Sequence, residues 1–348
     1  MVRKRRHQQA LRLSLPSPSS SPPRITPPHD FCFKTQIPSS SYNYVDSLAI
    51  KNLSSLKKLS VLGHGNNGTT VYKVHHKKNQ SFYALKVLRF NHNALEISHQ
   101  AKLEAEILKR VDSPYIVRCH AVFDNTCCDS HEDGGDLRFV MEYMEGGSLH
   151  DVLRQHKGGL PEEVISVLAK RVLQGLNYLH GMHIVHRDIK PSNLLVNEKG
   201  EVKIADFGVS HVVEGRFDEA CDSNVGTCAY MSPERVDPER WDGEYADGFA
   251  GDVWSVGMVM LECFLGYFPL MSDEGQKLDW ATLMCAICFS EKVEMPEKAS
   301  LEFKHFVQRC LEKDWRKRAT ITELLDHPFV NRKWCTSSEG LVNYLLHG

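Results

Sequence analysis

The pattern of apolar residues changes once along the chain, near Gly146, and this change limits the fold more than any other feature. Before it, the segments KKLSVLG, TTVYKVHH and SFYALKVLRF alternate apolar and polar residues around a glycine-rich turn, as in a β-meander. After it, apolar residues recur every three or four positions, for example in EEVISVLAKRVLQGLNYLHGM, as in amphipathic helices. The sequence therefore predicts an α+β protein with a small strand-rich lobe, a larger helical lobe and a ligand-binding cleft between them.

Further segments fill in this outline. The stretch ALEISHQAKLEAEILKRV predicts an amphipathic helix, and AVFDNT with LRFVMEYM predicts a hairpin joined by the acidic insert CCDSHEDGGD. Helical periodicity also appears in WATLMCAICF, LEFKHFVQRCLEK and TITELLDH. The apolar run from Val253 to Met271 is nearly long enough to cross a bilayer, but Glu262, two glycines and a proline favour a buried helix.

Composition excludes several classes of function. The chain has 348 residues, 42% hydrophobic and 25% charged, which is typical of a soluble globular protein. A net charge of −2 gives no overall attraction to nucleic acid or to an anionic membrane. Eleven cysteines without repeated pair spacing, and no secretory segment, indicate a reducing compartment. We expect a monomer in the cytoplasm, the nucleus or both.

Cys285 and Cys288 are the one cysteine pair with the spacing of a redox or metal half-site. They lie in an apolar run and no second pair accompanies them, so a core helix is the favoured interpretation. The chain also contains no HExxH motif, and we expect no structural metal.

Residues 1–54 differ from the rest of the chain. They are rich in Ser and Pro, contain no acidic residue before Asp30 and show no sustained periodicity, so we expect a disordered tail. Residues 3–15 contain a basic cluster, RKRR, followed by three leucines at alternate positions, which suits an acidic patch beside an apolar groove. A nuclear localisation signal and an organelle transit peptide are alternatives, but neither requires the alternating leucines.

The glycine-rich turn GHGNNGTTV, from Gly63 to Val71, has the spacing GxGxxG. In dinucleotide-binding folds these glycines lead into a helix, whereas here they lead into an alternating, β-branched strand. The turn therefore joins two strands, where backbone N–H groups can approach a phosphate chain because no Cβ intervenes. By itself this motif is weak, because an ordinary hairpin turn can have the same glycines.

Lys86 lies inside the apolar strand YALKVL. A single lysine in a strand often extends its amine to solvent, so its role depends on a carboxylate that holds it. Glu104 and Glu106 on the following helix are both candidates, and we favour Glu104.

The strongest signal is VHRDIKPSNLLVN followed by VKIADFGVS. These segments place Asp188, Asn193 and Asp206 in loops beside short apolar strands, with Lys190 two positions after Asp188. Phosphoryl transfer needs a carboxylate to position the attacking hydroxyl, oxygen ligands for a divalent cation, and cations for the phosphates. The combination in this order points to that reaction.

These motifs resemble those of protein kinases, over roughly Leu56 to Arg332. The resemblance implies a bilobal kinase domain over residues 55–332, with an N-lobe at about 55–144 and a C-lobe at about 145–332, followed by a short tail over residues 333–348. It implies catalytic roles for four residues: Asp188 as the base, Lys190, Asn193 and Lys86. It also implies that Asn193 and Asp206 bind Mg²⁺.

The same resemblance implies an ATP site in which Met141 is the gatekeeper and Glu142 and Met144 present backbone groups to adenine. The implied nucleotide-binding residues are Leu62, Gly63, His64, Gly65, Asn66, Asn67, Gly68, Val71, Ala84, Lys86, Glu104, Met141, Glu142, Met144, Ser148, Asn193 and Asp206. Two structural roles are implied as well. Asp252 braces the catalytic loop, and Arg318 pairs with Glu234.

Within the kinases, the lysine of HRDIKPSN resembles serine/threonine-type enzymes. The segments SPYIVRCHAVF, MEYMEGGSL, KIADFGVS and GTCAYMSPER together resemble mitogen-activated protein (MAP) kinase kinases, most closely the plant group with short C-terminal tails. That family phosphorylates Thr and Tyr of a Thr-x-Tyr motif in a MAP kinase. The resemblance implies that residues 3–15 dock a MAP kinase and that an upstream kinase acts on this chain. A weakly active or pseudokinase scaffold, and a serine/threonine kinase with other substrates, are the alternatives.

The implied activation segment runs from Asp206 to Glu234. Thr227 resembles the residue that hydrogen-bonds the catalytic Asp and Lys, and Ser223 is the regulatory phosphorylation site that we expect. A phosphate there adds nearly two negative charges, which could pair with a basic group such as Arg187 and order the segment.

One position departs from the family pattern. Plant members carry two phosphoacceptors that would fall at positions 217 and 223, but this sequence has Phe217. Asp218 and Glu219 supply some negative charge nearby. We therefore expect activation that is weak or less dependent on an upstream kinase, unless Ser210 or Thr227 replaces the missing acceptor. The segments CCDSHEDGGD (127–136) and VDPERWDGEYADGFA (236–250) are interpreted as solvated insertions.

Overall fold

The computed structural model describes residues 50–65, 68–90, 95–125, 135–212, 228–246, 248–270, 279–290, 293–332 and 344–345. Of these, the first part is rich in strands and the part after Gly146 is mostly helical. The strands are β1 Leu56–His64, β2 Thr70–His76, β3 Phe82–Phe90, β4 Cys119–Asp124, β5 Gly135–Glu142, β6 Ile184–Val185, β7 Leu194–Val196, β8 Val202–Ile204 and β9 His211–Val212. The predicted α+β division is confirmed.

Helices follow the periodic segments of the sequence. They are α1 Leu95–Arg110, α2 Leu149–Gln155, α3 Glu162–Gly181, α4 Pro233–Val236, α5 Phe249–Leu265, α6 Trp280–Cys288, α7 Leu301–Cys310, α8 Ile321–Leu325 and α9 Pro328–Asn331. Short 3-10 turns occur at Leu53–Ser55, Pro191–Asn193 and Gly243–Tyr245. The predicted meander, the helix after it and the hairpin are all present.

The large sheet has the antiparallel order β1-β2-β3-β5-β4. Gly63 of β1 pairs with Val71 of β2, and Val71 pairs with Lys86 of β3. Two residues back along β3, Ala84 pairs with Met141 of β5. Because alternate residues of a strand share a face, Ala84 and Lys86 lie on the same side of the sheet. The strand pairs connect this region of β3 to the glycine-rich turn on one side and to the end of β5 on the other.

Helix α5 forms the centre of the helical lobe. All thirteen residues from Gly251 to Cys263 are buried, although Asp252 and Glu262 are acidic. The helix ends at Leu265, and the next residue, Gly266, has φ +80; a Cβ on Gly266 would lie 2.6 Å from the nitrogen of Gly159. No helix in the described ranges is long and apolar enough to cross a membrane.

The folded part begins earlier than the sequence indicates. Ile50 is buried and clusters with Val74 and Val140 on one face of the large sheet. Asn52 accepts a hydrogen bond from the Ser54 N–H at 2.9 Å and so caps the turn at Leu53–Ser55. The assignment of residues 50–54 to a disordered tail is therefore wrong. A single apolar residue that contacts a distant sheet leaves no local pattern.

The interpretation of residues 236–250 as a solvated insertion is wrong in part, because several residues are packed although Arg240, Glu244 and Tyr245 are exposed. The carbonyl of Trp241 accepts a hydrogen bond from Trp315 Nε1 at 3.1 Å, and Ala246 is buried. A Cβ on Gly243 would lie 2.1 Å from the carbonyl oxygen of Glu234, so this segment packs closely against α4. The glycine and the acidic residues gave this stretch a loop-like composition.

Two other predicted segments have mixed outcomes. Of the cysteine pair on α6, Cys288 is buried as expected of a core helix, whereas Cys285 is exposed. The insert 127–136 lies mostly outside the described residues, but its last two residues, Gly135 and Asp136, already belong to β5. Near the C-terminus, Leu345 is buried in the main core and Tyr344 stacks on the ring of His156.

Candidate active site

A cavity of about 840 Å³ lies between the large sheet and the helical lobe. The sequence-predicted residues that line it are Gly63, His64, Gly65, Val71, Lys86, Glu104, Asp188, Lys190, Asn193 and Asp206. The remaining predicted residues that the structure describes, Leu62, Gly68, Ala84, Met141, Glu142, Met144 and Ser148, do not line this cavity. Asn66, Asn67, Phe217, Ser223 and Thr227 lie outside the described residues. The structure thus brings the predicted phosphate-end residues together in one cleft.

Lys86 is held by two carboxylates. Its Nζ lies 2.6 Å from Glu104 Oε1 and 2.7 Å from Asp206 Oδ1. Glu106, the other candidate, pairs with Lys109 at the protein surface. Helix geometry explains the choice, because Glu104 lies on the buried face of α1, whereas the side chain of Glu106 is 64% exposed.

The pKa values of this triad follow from burial and pairing. Burial disfavours the charged form of Lys86, but Asp206 and Glu104 outweigh it and raise the pKa of Lys86. Burial also opposes ionisation of Asp206, but Lys86 and the Gly208 N–H lower its pKa to about 2. For Glu104, burial prevails over Lys86 and raises the pKa. Lys86 and Asp206 are therefore both charged at neutral pH.

Asp188 lies in a second cluster, in the loop between β6 and β7. Lys190 Nζ is 2.7 Å from Asp188 Oδ2, and Asn193 Nδ2 donates to the same oxygen at 2.8 Å. Asn193 Nδ2 also donates to the Asp188 backbone carbonyl at 2.9 Å. The amide nitrogen of Asn193 is thus occupied, which leaves its side-chain oxygen as the atom that can ligate a cation.

Asp252, on the buried helix α5, fixes the start of this loop. Its carboxylate accepts hydrogen bonds from the backbone N–H groups of His186 at 2.9 Å and Arg187 at 2.8 Å, and lies 2.9 Å from His180 Nε2. Burial opposes ionisation of Asp252, but these partners, His180 first, lower its pKa. Arg187 has φ +68 and Asp206 has φ +66, a region that residues other than glycine rarely adopt and that is typical of functional sites.

The segment after β8 is fixed by contacts with His186. Phe207 is fully buried against the His186 ring, and His186 Nε2 lies 3.1 Å from the Ala205 carbonyl. Ser210 donates its hydroxyl hydrogen to the His186 carbonyl at 3.1 Å and is 1% exposed. A kinase could not reach Ser210 in this conformation, so it is a poor replacement for the missing phosphoacceptor.

Arg318 and Glu234 form the predicted pair in the helical lobe. Arg318 Nη1 and Nη2 bind the two carboxylate oxygens of Glu234 at 2.7 and 2.9 Å, and both side chains are buried. Arg235, next to Glu234, donates to the Arg187 carbonyl at 2.7 Å. The end of the activation segment is thereby connected to the catalytic loop.

Several cleft residues were not identified from the sequence. They include Ile97, Gln100 and Ala101 on α1, together with His150 and Tyr230. Gln100 lies four positions before Glu104, so helical spacing alone could have placed both on one face. Tyr230 donates its hydroxyl hydrogen to Glu262 at 2.6 Å. The two residues are 32 positions apart, and no sequence pattern predicts their contact.

The cleft fits a nucleotide with a divalent cation. Asn193 and Asp206 supply amide and carboxylate oxygens, the ligand type that hard cations prefer. In the described part of the chain, no residue other than the two neighbours of Gly63 comes within 4 Å of the position that a Cβ there would take, so the glycine leaves open space beside the backbone. Among the described residues, no group of three or more His, Cys, Asp or Glu side chains could hold a metal by itself. A cation here would need phosphate oxygens as additional ligands.

Comparisons with known proteins agree with this geometry. A family profile described as "Protein kinase domain" matches residues 56–330. The Arabidopsis thaliana protein "Mitogen-activated protein kinase kinase 10" is 53% identical over 333 residues, which cover 96% of this chain and 99% of that protein. "Mitogen-activated protein kinase kinase 9" is 47% identical over 95% of this chain and 98% of its own length. "Mitogen-activated protein kinase kinase 7" is 47% identical over 80% and 85%, respectively.

Proposed function

Because this chain belongs to the protein kinase family and, within it, to the MAP kinase kinases, we propose that it phosphorylates both Thr and Tyr of a Thr-x-Tyr motif in a MAP kinase. It is an ATP-dependent enzyme of MAP kinase cascades. The observation that carries the proposal is the convergence of Lys86, Glu104 and Asp206 with Asp188, Lys190 and Asn193 around one cavity.

Each side chain has a defined part in the proposed reaction. Asp188 positions the acceptor hydroxyl and accepts its proton as the new O–P bond forms and ADP leaves. Lys190, 2.7 Å from Asp188, stabilises the negative charge of the transferring phosphoryl group. Lys86 binds the α- and β-phosphates, and Glu104 fixes its amine. A divalent cation, which we propose to be Mg²⁺, would be held by Asn193 and Asp206 and would neutralise charge on the phosphates.

The remaining nucleotide contacts follow from the sheet. The backbone of Gly63, Gly65 and Gly68 covers the phosphates, and Gly68 has φ +75, which a residue with a Cβ would rarely adopt. We propose that the adenine ring lies against the sheet face that carries Ala84, close to Met141, with Glu142 and Met144 as its backbone partners. Leu62 and Val71 would contact the ring from β1 and β2.

Ser148 is a special case among these residues. Its hydroxyl donates to Asp151 Oδ2 at 2.5 Å and accepts from the Asp151 N–H at 3.2 Å, which makes it the N-cap of α2. These two contacts occupy the Ser148 hydroxyl, so they do not support its predicted contact with the nucleotide, which stays a prediction.

We further propose that residues 3–15, which lie outside the described residues, dock the MAP kinase, and that the protein acts as a monomer in the cytoplasm, the nucleus or both. Ser223, which lies outside the described residues, would accept a phosphate from an upstream kinase, and Arg187 of the catalytic loop would pair with that phosphate. Phe217, in place of the first acceptor, favours activation that is weak or less dependent on that kinase.

Incubation of the purified chain with a catalytically inactive MAP kinase and labelled ATP tests the proposal. We expect label on both Thr and Tyr, and none with Asp188→Ala. Label on neither residue, with Mg-ATP still bound, would identify a pseudokinase scaffold, which Phe217 favours and the intact cleft opposes. Label only on other proteins would indicate another substrate.

Deletion of residues 1–15 tests the docking part separately. The deletion should weaken affinity for the MAP kinase while the KM for ATP is unchanged. An unchanged affinity for the partner would remove residues 3–15 from the proposal.

A further inference from the structure

The segment from Glu142 to Gly147, which connects the two lobes, is attached at both ends to one hairpin of the helical lobe. At its far end, Gly146 donates its N–H to the Val196 carbonyl at 2.9 Å, and Val196 donates to the Gly147 carbonyl at 2.8 Å. At its near end the attachment is a side-chain contact, because Lys203 Nζ lies 2.6 Å from Glu142 Oε1. Of the two proposed adenine partners, Glu142 is the near attachment point and Met144 lies between the two points.

Glu142 is fixed on its other side as well. Its second carboxylate oxygen accepts a hydrogen bond from the Arg118 N–H at 3.2 Å, and its own N–H donates to the Arg118 carbonyl at 2.8 Å. The side chain of Lys203 is 12% exposed and that of Glu142 is 25% exposed. An ion pair that is partly shielded from water is stronger than one on the surface, so Lys203 can fix the carboxylate in place.

The hairpin that carries Lys203 also carries the proposed cation ligands. Asn193 immediately precedes β7, and Asp206 follows the end of β8 by two residues. Lys203 itself pairs across the hairpin with Leu195. One two-stranded unit therefore contacts the connecting segment and presents the oxygen atoms for the proposed phosphate-bound cation.

From this arrangement we propose that Lys203 is a positioning residue for the nucleotide. Through its ion pair with Glu142, it sets the distance and orientation of the adenine-binding segment relative to Asn193 and Asp206. The inference rests on the proposed nucleotide site and adds to it a residue that touches neither adenine nor phosphate. The pair assists binding of the whole nucleotide, whereas the transfer step depends on Asp188 and Lys190.

Two substitutions remove the ion pair with little change of shape. Lys203→Met keeps an unbranched apolar stem, and Glu142→Gln keeps an oxygen for the Arg118 N–H. Loss of one charge-assisted contact should raise the KM for ATP and the inhibition constant of adenosine roughly fivefold to tenfold. We expect kcat to stay within about twofold, because the groups of the transfer step are unchanged. The double variant should be no worse than either single variant.

The chain supplies matched controls. Lys109→Met and Glu106→Gln remove an exposed ion pair of 2.8 Å on α1 and should leave the KM for ATP unchanged. Lys203→Arg retains the positive charge and should keep the KM within about twofold of the unaltered protein. Circular dichroism establishes that each variant is folded before its kinetics are compared.

The outcomes separate this inference from the proposed function. If the unaltered chain transfers no phosphate, the proposed function fails. If it transfers phosphate but Lys203→Met changes only the melting temperature, the ion pair is merely structural and the inference fails. An increase in kcat would also overturn it, because the pair would then restrain the lobes rather than position the nucleotide. If Lys203→Arg raised the KM for ATP as much as Lys203→Met does, the positive charge of Lys203 could not be the cause of the effect on nucleotide binding.

Discussion

The charged pairs that line the cleft and those buried inside the helical lobe are similar in chemistry but differ in exposure to solvent. Lys86 binds Asp206 at 2.7 Å, and the side chain of Asp206 is 49% exposed to the cavity. Arg318 binds Glu234 at the same distance, but both side chains are almost fully buried. A pair that is open on one side can exchange its partner for a ligand, whereas a closed pair can only hold the chain together. The difference predicts separate losses of activity and of stability.

The largest expected effect is a loss of activity when the Lys86–Asp206 pair of the cleft is removed. Asp206→Asn removes the carboxylate that we propose as a cation ligand, so phosphoryl transfer should fall by about 10³-fold or more. Because Asp206 is half-exposed and Lys86 keeps Glu104 as a partner, the melting temperature should fall less than it does when a buried pair is broken. A labelled-ATP assay and a thermal melt, performed on the same preparation, measure both. A variant that unfolds at the assay temperature would show that Asp206 is structural, as Arg318 is.

The second prediction concerns the closed pair. Arg318→Met leaves the Glu234 carboxylate buried without its partner, which should lower the free energy of unfolding by about 3–5 kcal/mol. Arg316→Met, two positions earlier, removes an exposed arginine bound to Asp314 and Asp242 and should cost less than about 1 kcal/mol. Urea unfolding measures both variants. Equal effects of the two substitutions would contradict the distinction by burial.

A smaller effect with a characteristic pH dependence is expected at Asp252, the buried carboxylate below the catalytic loop. Its pKa is lower in the folded protein than the value of about 3.9 in an unfolded chain. The ionised form therefore stabilises the fold above about pH 4, and this contribution is lost as the pH falls through the folded-state pKa. Asp252→Asn should lower the free energy of unfolding by about 1–3 kcal/mol at pH 7.

The pH series distinguishes this cause from simple loss of packing. The difference between the unaltered protein and Asp252→Asn should shrink as the pH is lowered from 5 towards 3, because in this range the Asp252 carboxyl takes up a proton in the unfolded chain while it stays ionised in the folded one. Glu106→Gln, on an exposed carboxylate, serves as the control at each pH. A difference that is constant from pH 7 to pH 3 would show that the charge of Asp252 is not what stabilises the loop.

The smallest effect is expected at Ser148, which lies between the two classes. Ser148→Ala removes the N-cap of α2 and should lower the free energy of unfolding by about 1 kcal/mol. Because the hydroxyl already binds Asp151, the KM for ATP should stay within about twofold. A larger rise in KM, with stability unchanged, would place Ser148 with the open cleft groups rather than with the structural ones.

The sequence indicated much of this arrangement because its signals are local. Strand alternation predicted β1 to β3, and helical spacing predicted α1, α3 and α5. Closeness in the sequence also predicted that Asp188, Lys190 and Asn193 lie together, since the six positions 188–193 fit within one loop. Glu104 could be chosen over Glu106, but only as a preference, because both lie on α1 and the sequence does not show which face is buried.

Long-range contacts were the part that the sequence could not supply. Ile50 was assigned to a disordered tail because its partners on the sheet are more than twenty positions away. Residues 236–246 have the composition of a solvated loop, and only the contacts of Trp241 with Trp315 and of Gly243 with α4 show that part of it is packed. Tyr230 and Lys203 likewise acquire their roles from Glu262 and Glu142.

The sequence by itself determined the fold class, the family and most of the charged and polar residues that line the cleft, because each rests on residue types at short, fixed spacing. Only the tertiary structure decided which carboxylate holds Lys86, which pairs are open to a ligand and which are sealed. The physical reason is that burial and partner choice depend on groups that chain folding brings together from distant positions, and the strength of a charged contact depends on the water that the fold leaves around it.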